Sequence, residues 1–407
     1  MKQLFFVFAL LLSALTFSGS VHAQCDGNRY FNTLFYGYDS STVVYSNDGM
    51  TMDIYSPLYD TDSTRRVVLF IHGGNFYEGD KTDAFIYTMC KYYVSKGYVT
   101  ASINYPLVND TMILNYVLQD SASLYPIIAK TIGEGKAAVR YLKKNASALG
   151  IDSSWIVISG ESSGALVADH VAYLNDLSGV SPLLDSSFNL IGGIEGNSGN
   201  PGYSSGVKAV LNYGGGLLDL NMLTSLDKTP IYTAQGDSDH NVPYLCGPLF
   251  DGYTDFSVCG GGAMQPVLNN LGIKNQLMYF DSLDYSPWLD STYALTGLNH
   301  IVLYQVQNQS IVFLYQLECP TFTGISEISN VSVSLYPNPA SSLINLHTDA
   351  EMESVEIIDY MGRLVKTLSA TGSQTRIDVS GLSAGLYLAR VNLKDNKGSG
   401  TRSFIVE

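Results

Sequence analysis

Residues 155–165 read Trp-Ile-Val-Ile-Ser-Gly-Glu-Ser-Ser-Gly-Ala. Inside them, Gly160-Glu161-Ser162-Ser163-Gly164 has the pattern G-x-S-x-G, which exposes a serine hydroxyl as a nucleophile when it joins a strand to a helix. A hydroxyl attacking a carbonyl needs a base for its proton and N–H donors for the oxygen that becomes negative. The helix that would start at Ser163 offers its bare N-terminal N–H groups, that of Ser163 foremost. A second set of donors follows another apolar run: Arg66-Val67-Val68-Leu69-Phe70-Ile71 leads into His72-Gly73-Gly74-Asn75-Phe76. Glycines after a buried strand leave backbone N–H groups uncovered, so Gly73 and Gly74 are the candidate oxyanion donors with Ser163. His72 lies in the strand-to-loop turn and reads as a packing residue rather than a base.

The acid that would orient a base lies past another strand, in Gly236-Asp237-Ser238-Asp239-His240. Both Asp237 and Asp239 stand at a strand end, and either could instead form a turn. The base is the weak point. The span 281–290 contains no histidine, and the one histidine between there and the end of the domain is His300. The order Ser162, Asp239, His300 is the one such a site requires on this kind of chain. His170 falls about two turns into the helix after Ser162 and would point away from it.

These residues need a scaffold, and the chain supplies one in repeated strand–helix units. Ile156-Val157-Ile158 is a short β-branched run of the type buried on both faces of a parallel sheet. Strand-like runs also fall at 42–45, 51–55, 66–71, 98–103, 207–212, 231–234 and 276–280. Helical periodicity spans Asp83 to Lys96 and Ile132 to Leu149, each stopped by a glycine, and Ser310 to Leu317 near the end of the domain. Alternation of this kind predicts an α/β domain with a doubly wound, mostly parallel sheet. The Gly-, Ser-, Asn- and Pro-rich stretch from Ser178 to Ser205 reads as a long loop near the active face.

Composition excludes some functions. The net charge of −15 repels phosphate backbones, so nucleic acid is not expected as a partner. No histidine and cysteine spacing suggests a metal, and no cofactor is implied. The 29 tyrosines could stack on sugars or aryl esters, although ordinary half-buried surface accounts for most of them. Lys2, the apolar run from Leu4 to Thr16 and the small residues around Ala23 read as a signal peptide over 1–23. No later segment is long and apolar enough to span a bilayer. Export permits disulfides. Five cysteines leave one unpaired within the chain, and Cys246 with Cys259, flanking one glycine-rich loop, form the expected pair.

Together these motifs resemble the α/β-hydrolase superfamily, specifically its secreted carboxylesterases with a His-Gly-Gly oxyanion loop. The resemblance covers about residues 29–319. It rests on Asp53-Ile54-Tyr55-Ser56-Pro57, His72-Gly73-Gly74-Asn75-Phe76 with Gly79-Asp80-Lys81, Lys96-Gly97-Tyr98-Val99, Gly135 to Leu142, the Ser162 pentapeptide and Asp239-His240-Asn241-Val242-Pro243. It implies Ser162 as nucleophile, Asp239 rather than Asp237 as the acid, and Gly73, Gly74 and Ser163 as oxyanion donors. The chain departs from the pattern at Asn75, at Tyr105-Pro106-Leu107, and at Asp284-Tyr285-Ser286-Pro287, where Tyr285 stands in the place of the family's histidine. Either His300 serves from a displaced position or the base has been lost.

A second resemblance covers the tail. Leu335-Tyr336-Pro337-Asn338-Pro339-Ala340, Asp359 to Arg363, Leu382 to Leu388 and the strand Phe404-Ile405-Val406 resemble the type A C-terminal sorting domain of the type IX secretion system. Short alternating strands with Gly and Asn turns predict a small all-β sandwich. The expected division is a signal peptide (1–23), a hydrolase domain (24–320), a linker (321–330) and a sorting domain (331–407). The resemblances imply a secreted or cell-surface serine ester hydrolase acting through an acyl-enzyme on a small-molecule or polysaccharide ester. The implied partner is the type IX machinery. The competing reading, carried by Tyr285, is a catalytically weak pseudo-hydrolase that binds a ligand. A serine peptidase on the same fold is disfavoured, because no propeller or additional substrate domain is present.

Overall fold

The computed structural model describes residues 25, 28–108, 121–178, 180–250, 256–289, 299–319, 333–359, 364–394 and 399–406. The expected signal peptide and linker lie outside them. One eight-stranded sheet organises the first domain. Its strands are β1 (Tyr38–Val44), β2 (Thr51–Pro57), β3 (Arg65–Ile71), β4 (Val99–Ile103), β5 (Ile151–Glu161), β6 (Ala209–Tyr213), β8 (Ile231–Gly236) and β11 (Asn275–Phe280). They lie in the order β1-β2-β4-β3-β5-β6-β8-β11. β1, β2 and β4 pair antiparallel, and every pairing from β4 to β11 is parallel.

The sequence of β3 shows why the sheet needs helices on both faces. Val67, Leu69 and Ile71 enter one apolar core and Val68 and Phe70 the other, because side chains alternate across a strand. The first core is closed by α2 (Ser121–Lys144) and α4 (Ser163–Tyr173), through Ile128, Val139, Leu166 and Val167. The second is closed by α1 (Ala84–Val94) and α7 (His300–Glu318), through Met89, Tyr93, Val306 and Phe313. α3 (Ala146–Leu149) is a single turn that ends at Gly150, which adopts φ 60°. The tyrosines depart from the expectation of ordinary surface. Tyr30, Tyr93, Tyr98, Tyr213, Tyr232 and Tyr315 are fully buried in the second core. Burial is tolerable where the phenol finds a partner, as Tyr93 does in Ser310 Oγ at 2.7 Å.

Three other expectations need correction. The stretch from Ser178 to Ser205 is not all loop: it contains α5 (Pro182–Leu190). Ser181 caps that helix by accepting from Leu183 N–H, Pro182 occupies the first turn, and Leu184 and Phe188 are buried. The flanking glycines and serines masked this short signal. α2 starts at Ser121 rather than Ile132 and carries Pro126 inside. α7 starts at His300 rather than Ser310, with Asn299 as its cap accepting from Val302 N–H. His300 therefore opens a helix instead of ending a long loop.

A small sheet, β7 (Gly216–Leu217), β10 (Ser257–Gly260) and β9 (Cys246–Pro248), lies beside the main one and is followed by α6 (Gly261–Asn270). Cys246 and Cys259 face each other in its register and are bonded, as expected. Cys25 is bonded to Cys319, and Cys90 is the free, buried thiol. The tail forms two antiparallel sheets, β12 (Val333–Tyr336), β13 (Leu343–Thr348) and β16 (Gln374–Asp378), and β15 (Leu364–Ser369), β14 (Met352–Asp359), β17 (Gly385–Leu393) and β18 (Ser399–Val406). Ile344, Leu346, Val355, Ile357, Ala389, Val391 and Phe404 form its separate core, so the expected sandwich is present. Among the described residues no helix is long and apolar enough to cross a membrane.

The Cys25–Cys319 bond closes a loop with a sequence separation of 294 residues around the first domain. Such a cross-link restricts the unfolded chain strongly. Replacing both cysteines by serine is expected to lower stability in urea by about 2–5 kcal/mol, and unchanged stability would show that the bond restrains only the N-terminal arm.

Candidate active site

Every parallel strand from β3 to β11 ends at the same edge of the sheet, and the candidate residues follow those ends. β5 runs into α4 with a single residue between them. Gly160 and Gly164 permit this. A Cβ on Gly160 would lie 2.2 Å from the Gly164 carbonyl, and one on Gly164 would lie 2.2 Å from Ile71 O and 2.4 Å from His72 O. Ser162, between them, is held at φ 54°, ψ −122°, a backbone region L residues rarely occupy. Its N–H donates to Tyr213 O at 2.9 Å and its carbonyl accepts from Leu166 N–H at 3.0 Å. Its side chain does not cap the helix, so the hydroxyl is left for chemistry.

The loop after β3 is packed against this turn. A Cβ on Gly73 would meet Glu161 Oε2 at 2.1 Å and Ser162 Cβ at 3.2 Å. Gly74, Asn75 and Phe76 follow at φ 98°, 54° and 66°. Three consecutive positive φ values turn the chain sharply. Gly74 O accepts from Tyr77 and Glu78 N–H groups, which closes the loop. Among the described residues no backbone carbonyl accepts from the N–H of Gly73, Gly74 or Ser163. His72 fixes the loop from below, as expected of a packing residue. Its ring stacks on Tyr105 at 4.3 Å, its Nδ1 is 2.7 Å from Gly73 O, and Tyr105 OH donates to His72 O and Gly73 O. Burial lowers the His72 pKa to about 4, so it is neutral at pH 7.

Asp239 is buried after β8. Its Oδ1 accepts from Asn241 and Val242 N–H groups, both at 2.9 Å, and its Oδ2 is 3.4 Å from Gln235 Nε2. Burial lifts its pKa to about 6 against those hydrogen bonds. Asp237 is spent on the loop, accepting from Ser282 N–H at 2.7 Å. His170 faces away, as expected: its Nδ1 is 2.7 Å from Leu166 O and its Nε2 accepts from Leu218 N–H. His72 and His170 are engaged by their own loop and helix, and His240 Nδ1 is 2.9 Å from Asp284 Oδ1. His300 is placed as the first residue of α7, and its side chain is outside the described atoms.

Tyr285 is the residue the structure brings to Glu161, the neighbour of Ser162 in sequence. Its phenol donates to Glu161 Oε1 at 3.1 Å. Ser286 Oγ donates to the same carboxylate oxygen. Burial lifts the Glu161 pKa to about 7, against the pull of the Ser286 and Tyr285 hydroxyls, with Asp239 and Asp83 pushing it further up. Burial raises the Tyr285 phenol above its ordinary value as well. Sequence reasoning treated Glu161 only as the variable position of its motif. The signal available was a carboxylate adjacent to the nucleophile on a buried strand end, where its charge is costly to bury. Beside Ser162 a small apolar pocket is lined by Phe76, Leu124, Leu166, Val242 and Leu249. Among the described residues no cluster of His, Cys, Asp and Glu could hold a metal ion.

Residues 52–229 match the profile of the BD-FAE family, and residues 334–407 match the secretion system C-terminal sorting domain. No curated protein matches the chain in sequence. Among solved structures, the butyrate-bound esterase Est2 of the planctomycete Thermogutta terrifontis aligns with TM-score 0.49 and 17% identity, over 69% of this chain and 95% of that one. The native form of the same enzyme aligns with TM-score 0.48 and 17% identity, over 74% and 100%. The form phosphorylated by paraoxon aligns with TM-score 0.47 and 18% identity, over 69% and 95%.

A raised carboxylate pKa means the fold favours the protonated form. That contribution is fully present below the ordinary value near 4.5 and is lost as pH rises through about 7. Glu161→Gln stays neutral throughout. Between pH 5 and pH 8 the wild type should therefore lose about 2.5 kcal/mol relative to this variant, measured by urea unfolding at both pH values. A constant difference would mean that Glu161 is not held up by burial.

Proposed function

We propose that this chain, an α/β-hydrolase-fold member of the BD-FAE family followed by a type IX secretion sorting domain, is a serine ester hydrolase with Ser162 as its nucleophile. The observation that carries the reading is Ser162 itself. It sits at positive φ on a strand-to-helix turn, its hydroxyl is not committed to the helix, and it lies against a glycine loop with uncovered N–H groups. Ser162 Oγ attacks the ester carbonyl, and the oxyanion is received by N–H groups of Gly73, Gly74 and Ser163. The leaving alcohol departs, and water releases the acid from the acyl-enzyme. The apolar pocket beside Ser162 suits a short acyl group. Export through the sorting domain directs the enzyme to an extracellular ester, for which an acylated polysaccharide is the fitting class.

Asp239 is suited to the acid's role, being buried with Oδ1 fixed by two backbone N–H groups and Oδ2 only weakly engaged. His300 is the base expected from the sequence. The residue in the place of the family's histidine, however, is Tyr285, and it is hydrogen-bonded to Glu161. That observation favours a second reading, a pseudo-hydrolase that binds a ligand in the same cleft.

Ser162→Ala should abolish hydrolysis of p-nitrophenyl acetate and labelling by a fluorophosphonate while leaving the circular dichroism spectrum unchanged. Retention of near wild-type hydrolysis would remove Ser162 from its role, and a wild type inert toward short and long aryl esters would favour the binding protein. Gly73→Ala should lower kcat by about 100-fold or more, the usual effect of disturbing an oxyanion donor, because its methyl group collides with Glu161.

A further inference from the structure

We infer that the ester hydrolysed at Ser162 is an acetyl ester, and that Leu249, carried on the hairpin closed by Cys246 and Cys259, is the wall that shuts out longer acyl groups. This rests on the serine hydrolase reading above and names the acyl part of its substrate.

The pocket beside Ser162 is closed by side chains from separate segments. Phe76 comes from the loop after β3, Leu124 from the first turn of α2, Leu166 from α4, and Val242 and Leu249 from the chain after β8. All five are buried. The cavity volume is about 10 Å³, room for about one water-sized group. These walls are apolar, so a hydroxylated or charged acyl group would give up its hydrogen bonds to water without replacement. A methyl group is close to a water molecule in size and has no such bonds to lose. A butyryl chain or an aryl ring would have to push the walls apart, which a close-packed interior resists.

The reaction assigns this pocket to the acyl side. The acyl carbon stays bonded to Ser162 Oγ through the intermediate, whereas the alcohol must leave and water must enter. Ser162 and Ser163 both line the pocket. With the carbonyl oxygen at the Ser163 N–H, the substituent on the acyl carbon is the group directed into it. A closed end is harmless to that substituent and would trap a leaving alcohol. A bulky alcohol, a sugar included, has no place in a space of this size and stays outside.

The walls differ in what else they carry. Leu166 N–H donates to Ser162 O at 3.0 Å, and Phe76 belongs to the loop of Gly73 and Gly74, so both are tied to the nucleophile or its donors. Leu249 belongs to a separate unit. It follows β9, its N–H donates to Phe256 O at 3.0 Å, and the N–H of Phe250 donates to Asn241 O at 2.9 Å. β9 pairs with β10, and Cys246 is bonded to Cys259 across that pair. Gly260, at the end of β10, lies so close to the loop after β8 that a Cβ on it would be 2.2 Å from Pro243 O. The Phe256 ring packs on Tyr125 of α2 with centroids 5.1 Å apart. The hairpin is thereby clamped between the loop of Asp239 and α2, and the disulfide fixes the strand from which Leu249 enters the pocket.

The test uses the full chain with p-nitrophenyl acetate, butyrate, hexanoate and benzoate, and thermal melts as a control for folding. Wild-type kcat/KM on the acetate should exceed that on the butyrate by about 10-fold or more, the usual worth of methylenes that a pocket cannot hold. Hexanoate and benzoate should be slower still. Leu249→Ala should lower the acetate-to-butyrate ratio by about 10-fold, and the milder Leu249→Val should shift it the same way. Replacing Cys246 and Cys259 together by serine should also lower the ratio. Replacing Cys25 and Cys319 together, a disulfide outside the pocket, should not. The ratio separates a specificity wall from a merely structural residue, because loss of folded protein slows all four esters alike. A wild type as fast on butyrate or benzoate as on acetate overturns the inference, as does an unchanged ratio in both Leu249 variants. An unchanged ratio without the Cys246–Cys259 bond overturns the role of the hairpin. Absence of hydrolysis of all four esters, together with absence of fluorophosphonate labelling, would instead remove the hydrolase reading on which the inference rests.

Discussion

The approach of two glycines fixes the geometry of this molecule. Gly160 at the end of β5 and Gly164 in the first turn of α4 lie so close that any side chain on either would enter backbone. That contact leaves one residue to reverse the chain, and the residue must accept a positive φ. Gly164 also rests on the carbonyls of Ile71 and His72. The same contact therefore sets the exit of β3 beside the turn, which is why the loop from Gly73 to Phe76 meets Ser162. The candidate nucleophile and candidate oxyanion donors are placed by one steric constraint, supported by the parallel pairing of β3 with β5. The strain stored at Ser162 and in the loop is held by the surrounding sheet and its two cores.

Around this turn the described residues include two carboxylates. Glu161 and Asp239 are both buried after strand ends, and burial lifts the pKa of each. His72, just after β3, and His170, in α4, are kept neutral by burial and serve a loop and a helix. Glu161 accepts from the Tyr285 and Ser286 hydroxyls, two neutral donors set against a buried carboxylate.

The two domains solve stability separately. The hydrolase domain has a core on each face of a large sheet and is tied end to end by Cys25–Cys319. The sorting domain has a core of its own between two small sheets.

The sequence by itself determined the periodicities and the turns. The apolar run at 156–158, the glycines at 160 and 164, and the Gly73-Gly74 pair require particular backbone geometry whatever surrounds them, and so the sheet, the turn and the loop were legible. The alternating strands of the tail and the pairing of Cys246 with Cys259 were legible for the same local reason. The tertiary structure decided what depends on distance between remote segments. Glu161 looked like a filler until Tyr285 and Ser286, more than a hundred residues later, met its carboxylate. His300 looked like a loop histidine because the helical signal was read only from Ser310, yet Asn299 caps a helix that begins ten residues earlier. The tyrosines looked superficial because composition carries no information about burial, and packing against the second core put many of them inside. Backbone geometry is written into residue types locally, whereas the partner and protonation state of a side chain are set by whatever the fold brings against it.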